Sequence, residues 1–168
     1  MEAALRNKTF VDKLCVLDIA PRPYPKFASN SASAGVILAM QKLNLDKIQK
    51  RQDAYNLLDV PNETLRKFAL TNLVREKDEN GLQKWAWRCN LSGLAKDLEM
   101  ISTYQYDENL TNDCESVFVV GGQSDFIDLP NDFRLFQKFF PNSKLEVFEN
   151  AGHWVHGDEP ERFAGVLE

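Results

Sequence analysis

The segment ESVFVVGGQSDF, residues 115–126, constrains this chain more than any other. An apolar run that ends in paired glycines reads as a buried strand followed by a sharp turn. DLPNDFRLFQKFF follows with helical spacing, SKLEVFEN returns to strand, and PERFAGVLE closes as a helix. Alternation of this kind predicts a parallel sheet joined by helical crossovers, which is an α/β architecture. A further strand, KLCVLDIA at 13–20, is stopped by Pro21 and Pro23, and its near-continuous apolar run is that of a strand covered on both faces. The pattern predicts about three parallel strands with flanking helices.

Between the first of these strands and the second, residues 22–112 change to helical periodicity, in AGVILAMQKL, DKIQKRQDAYNLLDV, PNETLRKFALTNLV and LAKDLEMISTY. The block reads as an all-helical insertion with one short extended segment, WAWRCNL at 85–91, whose tryptophans read as core packing. At 168 residues the chain is one domain, 1–168, carrying that insertion at 22–112. MEAALRN opens without a cap or a preceding strand and reads as the tail of a helix.

Composition narrows the function classes. Hydrophobic residues make up 43% and charged residues 27%, which fits a folded domain. The net charge is −5, with Lys and Arg scattered among acids, so there is no footprint for nucleic acid or an anionic membrane surface. The longest apolar run, AGVILAM, is too short for a transmembrane segment. Cys15, Cys89 and Cys114 lack C-x-x-C spacing, so neither a disulfide framework nor a zinc site is suggested, and a reducing compartment fits. The glycosylation-type triplets at Asn7, Asn62, Asn90 and Asn109 read as chance matches without a secretory signal.

All three strands end in residues capable of chemistry: the first at Asp18, the second at Ser124 and Asp125, the third at His153. In open α/β sheets, reacting groups collect outside the carboxyl ends of the strands, so a carboxylate and an imidazole from different strand ends can meet as a base and its orienter. Blander readings stay open at this point. A loop histidine is often simply solvated, and Asp18 can be a turn or cap residue. His153, His156 and Asp158 have the spacing of a weak metal set, lacking a thiolate.

FENAGHWVHGDEPERFAGVL, together with VDKLCVLDIAP, FALTNLV and WRCNL, resembles the carboxyl-terminal part of an α/β-hydrolase. The branch it resembles contains abhydrolase domain-containing protein eleven, bacterial acyl-CoA esterases and the yeast ethanol acetyltransferases. The likeness covers nearly the whole chain. It implies the carboxyl-terminal portion of an α/β-hydrolase fold, with the inserted helices as a lid over an active site. It implies a serine-type hydrolase of small acyl esters or thioesters working through a Ser-Asp-His triad, with no cofactor and no metal. Alcohol acyl transfer within the same branch is the alternative, as is a non-catalytic truncated form.

By the same resemblance the catalytic histidine falls on His153 and the acid on Asp18. The commoner acid position of the fold, the turn after the next strand, holds Ser124, with Asp125 one residue later as the rival acid. Ser124 reads as a local hydrogen-bonding residue and His156 as structural. A G-x-S-x-G elbow, which would expose the nucleophile, does not occur in the sequence. The resemblance therefore puts the serine and the oxyanion loop before Met1, with MEAALRN as the end of the helix that follows the elbow. SASAG at 31–35 is one glycine short of the motif and follows no strand, so its serines read as caps. A fragment of this kind is expected to expose the edge of the KLCVLDI strand and to self-associate through it. The expected location is intracellular, mitochondrial or cytoplasmic, with the targeting segment outside this sequence.

Overall fold

In the computed structural model, residues 1–26 and 32–168 are described. The chain opens with α1 (Glu2–Arg6) and β1 (Lys13–Leu17). It continues through α2 (Ala32–Lys42), α3 (Arg51–Leu57), α4 (Glu63–Leu70), β2 (Leu73–Lys77), β3 (Gln83–Trp87) and α5 (Leu91–Ser102). The last part holds β4 (Glu115–Gly121), α6 (Leu129–Phe139), β5 (Ser143–Phe148), α7 (Val155–Asp158) and α8 (Pro160–Leu167). Two compact units result, Met1–Arg22 with Gln105–Glu168, and Pro23–Tyr104.

In the first unit β1, β4 and β5 form a three-stranded parallel sheet in the order β1-β4-β5. Leu17 lies opposite Val119, and Gly121 opposite Phe148, so the carboxyl ends of the three strands emerge together. β4 is apolar from Val117 to Val120, where both of its faces are covered. Phe118 stacks on Phe136 of α6 at 4.0 Å and meets Phe140 at 5.8 Å. The neighbouring Val119 packs with Phe148, Ala151 and Val155, against which Phe163 and Val166 of α8 also lie. β1 is covered less completely, with Val16 buried and Cys15 exposed. The strand also stops earlier than the apolar run predicts. At Asp18 the chain enters the left-handed region, φ 48°, the one non-glycine residue with positive φ among those described.

The second unit is not all helix, which corrects the expectation for this block. Residues 73–77 and 83–87 pair as an antiparallel hairpin, with Leu73 opposite Trp87 and Lys77 opposite Gln83. The helical reading of FALTNLV runs too far because α4 ends at Leu70 and the chain turns at Thr71 and Asn72. At the hairpin turn the Asp78 side chain accepts from the N–H groups of Asn80 and Leu82, and Gly81 has φ 79°, a conformation that favours glycine. Trp85 and Trp87 pack against a core that includes Met40, Leu58, Leu70 and Leu73. Asn62 and Asn90, from two of the glycosylation-type triplets, cap α4 and α5 by accepting from Leu65 N–H and Gly93 N–H at 2.9 and 3.0 Å.

No helix among the described residues is long and apolar enough to cross a membrane. Phe118→Ala is expected to lower the stability of the first unit by about 3–5 kcal/mol, since it removes a fully buried ring between a strand and two facing phenylalanines. Urea unfolding followed by near-ultraviolet circular dichroism measures this, and a loss below about 1 kcal/mol would contradict the packing described.

Candidate active site

The site is built at the carboxyl ends of β1, β4 and β5, where three chain segments converge on one carboxylate. Asp18 is 1% exposed. Its backbone N–H still donates to Val119 O at 2.8 Å, so the residue is held to β4 while its left-handed φ redirects the chain. Oδ1 accepts from Gly121 N–H at 3.0 Å. Oδ2 accepts from the Ser124 hydroxyl and faces His153 Nδ1 at 2.8 Å. A carboxylate only accepts hydrogen bonds, so Nδ1 of His153 is the protonated nitrogen of the neutral ring.

His153 is positioned by the loop after β5. Ala151 N–H donates to Phe148 O at 3.1 Å, and Gly152 N–H donates to Asp158 Oδ2 at 2.8 Å, which closes the GHWVHGD segment on itself. The loop after β4 is tied to it through Gln123 N–H, which donates to Ala151 O at 3.0 Å, and Gly122 N–H, which donates to Phe148 O at 2.8 Å. The paired glycines allow this approach. A Cβ on Gly121 would stand 2.1 Å from Gly152 O, and one on Gly122 would stand 2.7 Å from Glu149 Cα.

The imidazole faces outward, its side chain 41% exposed. One face stacks on Phe126, ring centroids 3.7 Å apart and planes 12° from parallel. Nε2 has no hydrogen-bond partner among the described residues. The imidazole therefore has one nitrogen held by a carboxylate and the other open, an arrangement that could take a proton from a group brought to Nε2.

Of the two acids weighed from the sequence, Asp18 is the one beside His153. Asp125 is exposed, and no side-chain hydrogen bond or ion pair involves it among the described residues. Ser124 is more than a local turn residue. Its oxygen accepts from Phe126 N–H at 3.2 Å while its hydroxyl donates to the acid, so it lies beside Asp18 and away from Nε2. His156 lies on α7, exposed, its ring 6.2 Å from that of Phe163. His153 and Asp158 point to different partners, and no group of three or more His, Cys, Asp or Glu side chains among the described residues could hold a metal ion.

No hydroxyl or thiol in the described residues stands at Nε2. In SASAG, Ser31 lies outside the described residues and Ser33 lies within α2. Cys15 sits within β1, and although it is exposed, partial desolvation by its neighbours pushes its thiol above the ordinary cysteine value, which disfavours the thiolate a nucleophile needs. Phe126, Arg22 and Asp132 were missed as parts of the site. Arg22 Nε and Nη2 reach Asp132 at 2.6 and 3.0 Å, and Nη2 also donates to Phe126 O at 3.0 Å. Asp132 reads from the sequence as an ordinary acid in the first turn of a helix, and no pattern links it to Arg22.

A sequence profile of the alpha/beta hydrolase fold family matches residues 44–160. The sn-1-specific diacylglycerol lipase ABHD11 of Mus musculus is 30% identical over 170 residues, covering 99% of this chain and 53% of that protein. Esterase YbfF of Escherichia coli is 26% identical over 154 residues, covering 90% of this chain and 54% of that protein. Among solved structures, a marine microorganism esterase superposes with a TM-score of 0.84 at 27% identity, covering 98% of this chain and 62% of that one. The chain spans about half the length of the curated relatives it matches.

The close approach of the two loops yields a paired test. Gly121→Ala is expected to destabilise the first unit by about 2 kcal/mol or more, because backbone must move out of the way of the new Cβ. Gly165→Ala, on α8 with open space around its Cβ, is expected to leave stability unchanged or raise it by up to about 1 kcal/mol. Equal effects in urea unfolding would contradict the geometry.

Proposed function

The chain belongs to the α/β-hydrolase fold family, and we propose that it is the carboxyl-terminal portion of a serine hydrolase acting on carboxylic esters. It supplies the base and the acid of a Ser-Asp-His triad. The observation that carries this reading is the pair itself: His153 holds Nδ1 on a buried carboxylate and leaves Nε2 open. That polarity is what a serine hydrolase asks of its histidine.

In this reading the serine comes from the part of the family's length that these residues do not span, on a strand that pairs with the open edge of β1. Its hydroxyl gives its proton to His153 Nε2 as Oγ attacks the ester carbonyl. Asp18 stabilises the imidazolium and fixes its orientation without taking the proton. The imidazolium then protonates the departing alcohol oxygen, leaving an acyl-serine, and water deprotonated by the same nitrogen releases the acid. The backbone N–H groups that would hold the oxyanion come with the serine. The likeness to a diacylglycerol lipase and to esterases supports a carboxylic ester as substrate. The unit Pro23–Tyr104, inserted in sequence between β1 and β4, is the lid-type insertion of this reading.

Fused behind an amino-terminal half that bears the serine elbow, the chain is expected to hydrolyse p-nitrophenyl esters. His153→Ala and Asp18→Asn should each lower kcat on the order of 10⁴-fold, as loss of a triad member or of the correct tautomer does. Asp125→Asn should remain close to the parent rate. Full activity in His153→Ala would overturn the triad, and a larger loss in Asp125→Asn than in Asp18→Asn would move the acid to Asp125.

A further inference from the structure

We infer that Arg22 and Asp132 are positioning residues for His153, acting through Phe126; the inference rests on the proposed function and names what holds its base in place. The Asp18 hydrogen bond fixes one atom of the imidazole but does not by itself set the plane of the ring, on which the direction of Nε2 depends. The second constraint is the Phe126 ring, which lies against the imidazole at 3.7 Å and 12°. A near-parallel stack at this distance limits rotation of the imidazole out of its plane.

Phe126 is in turn held at both of its backbone polar atoms. Its N–H donates to Ser124 Oγ at 3.2 Å, which links it to the acid. Its carbonyl accepts from Arg22 Nη2 at 3.0 Å. The guanidinium reaches this carbonyl because it is already fixed. Nε and Nη2 make a planar fork onto the two oxygens of Asp132, at 2.6 and 3.0 Å, and the remaining N–H of Nη2 then has one direction left to it. Asp132 is 1% exposed, and its Oδ2 also accepts from Asp128 N–H at 2.8 Å at the start of α6. The chain of contacts thus runs from a buried carboxylate on α6, through the guanidinium, to the residue whose ring supports the histidine.

A buried ion pair is weak evidence for stability, since apolar side chains of similar volume often serve as well. What apolar side chains cannot supply is a directed N–H to the Phe126 carbonyl. The consequence for the reaction is positional, because a displacement of about 1 Å at a reacting group costs on the order of 10²-fold in rate. Lysine in place of Arg22 keeps the charge and lacks the fork, so it should fail to hold Phe126 in this way.

Nuclear magnetic resonance of the histidine-labelled hydrolase in which this chain is fused behind the serine-bearing half tests this, with the ring signals of His153 and His156 assigned by replacing each in turn. Stacked on Phe126, the carbon-bound ring protons of His153 are expected to lie upfield of those of His156, and Phe126→Leu should abolish that displacement. Arg22→Lys and the double variant Arg22→Met/Asp132→Asn, which leaves no unpaired buried carboxylate, should each lose most of it. Lys138→Met, which breaks the other ion pair of α6, with Glu108, should leave it unchanged. If the double variant does not fold, Arg22→Lys carries the test. The downfield Nδ1–H signal, present in the parent and lost in Asp18→Asn, reports the acid–base pair separately. A parent-sized displacement in folded Arg22 variants, with that signal present, overturns the role of Arg22 and Asp132 and leaves the proposed function standing. Absence of the Asp18-dependent signal from the folded parent overturns the proposed catalytic pair and, with it, this positioning role.

Discussion

Asp18 carries a carboxylate that folding removes from water, and its two oxygens are answered by donors from two other strand ends. Gly121 N–H comes from the last residue of β4, the Ser124 hydroxyl from the turn after it, and His153 Nδ1 from the loop after β5. An uncompensated buried charge costs several kcal/mol, so the carboxylate is tolerated only when β1, β4 and β5 are in the register observed. The left-handed backbone at Asp18 is part of the same arrangement, because it ends the strand while its N–H stays bonded to Val119. The requirement that lets these strand ends fold is also the one that fixes the orientation of His153.

The remaining features of the first unit keep that junction compact. β4 lies between β1 and β5 in the sheet, and the aromatic layer of Phe118, Phe136 and Phe140 anchors α6 against it. α6 in turn starts at the loop that carries Phe126, and its first turn supplies Asp132. The glycine pair at the end of β4 lets the histidine loop approach to within backbone contact, so two loops that connect to different helices behave as one support. The imidazole consequently has one face against Phe126, one nitrogen on Asp18, and its other nitrogen open.

The parallel strands were legible because a strand covered by helices reads as a short continuous apolar run, and VFVV is such a run. Cys15 shows the limit of that inference, since the same kind of run in β1 leaves a residue exposed. The β2–β3 hairpin was misread because LVREK follows a helix whose apolar spacing carries on smoothly through FALTNLV, while the turn signal sits later, at Asp78 and Gly81. Within the site, strand ends pointed to Asp18, Asp125 and His153 as candidates. The preference for Asp18 over Asp125 came from family resemblance, for spacing along a chain does not say which carboxylate a loop will bring to an imidazole. Ser124, Phe126, Arg22 and Asp132 act through side-chain directions set by loop conformation, and such directions leave no periodic mark in sequence.

The central claim is that this sequence supplies the acid and the base of a working serine hydrolase, and labelling the native protein tests it most directly. Extract from the source organism would be treated with a fluorophosphonate probe, which reacts with activated serines, and the protein then captured with an antibody against residues 143–168. The account predicts a labelled species carrying this sequence, with labelling lost when His153 is replaced by alanine at the native locus. Captured protein that stays unlabelled, while other serine hydrolases of the same extract react, would contradict it.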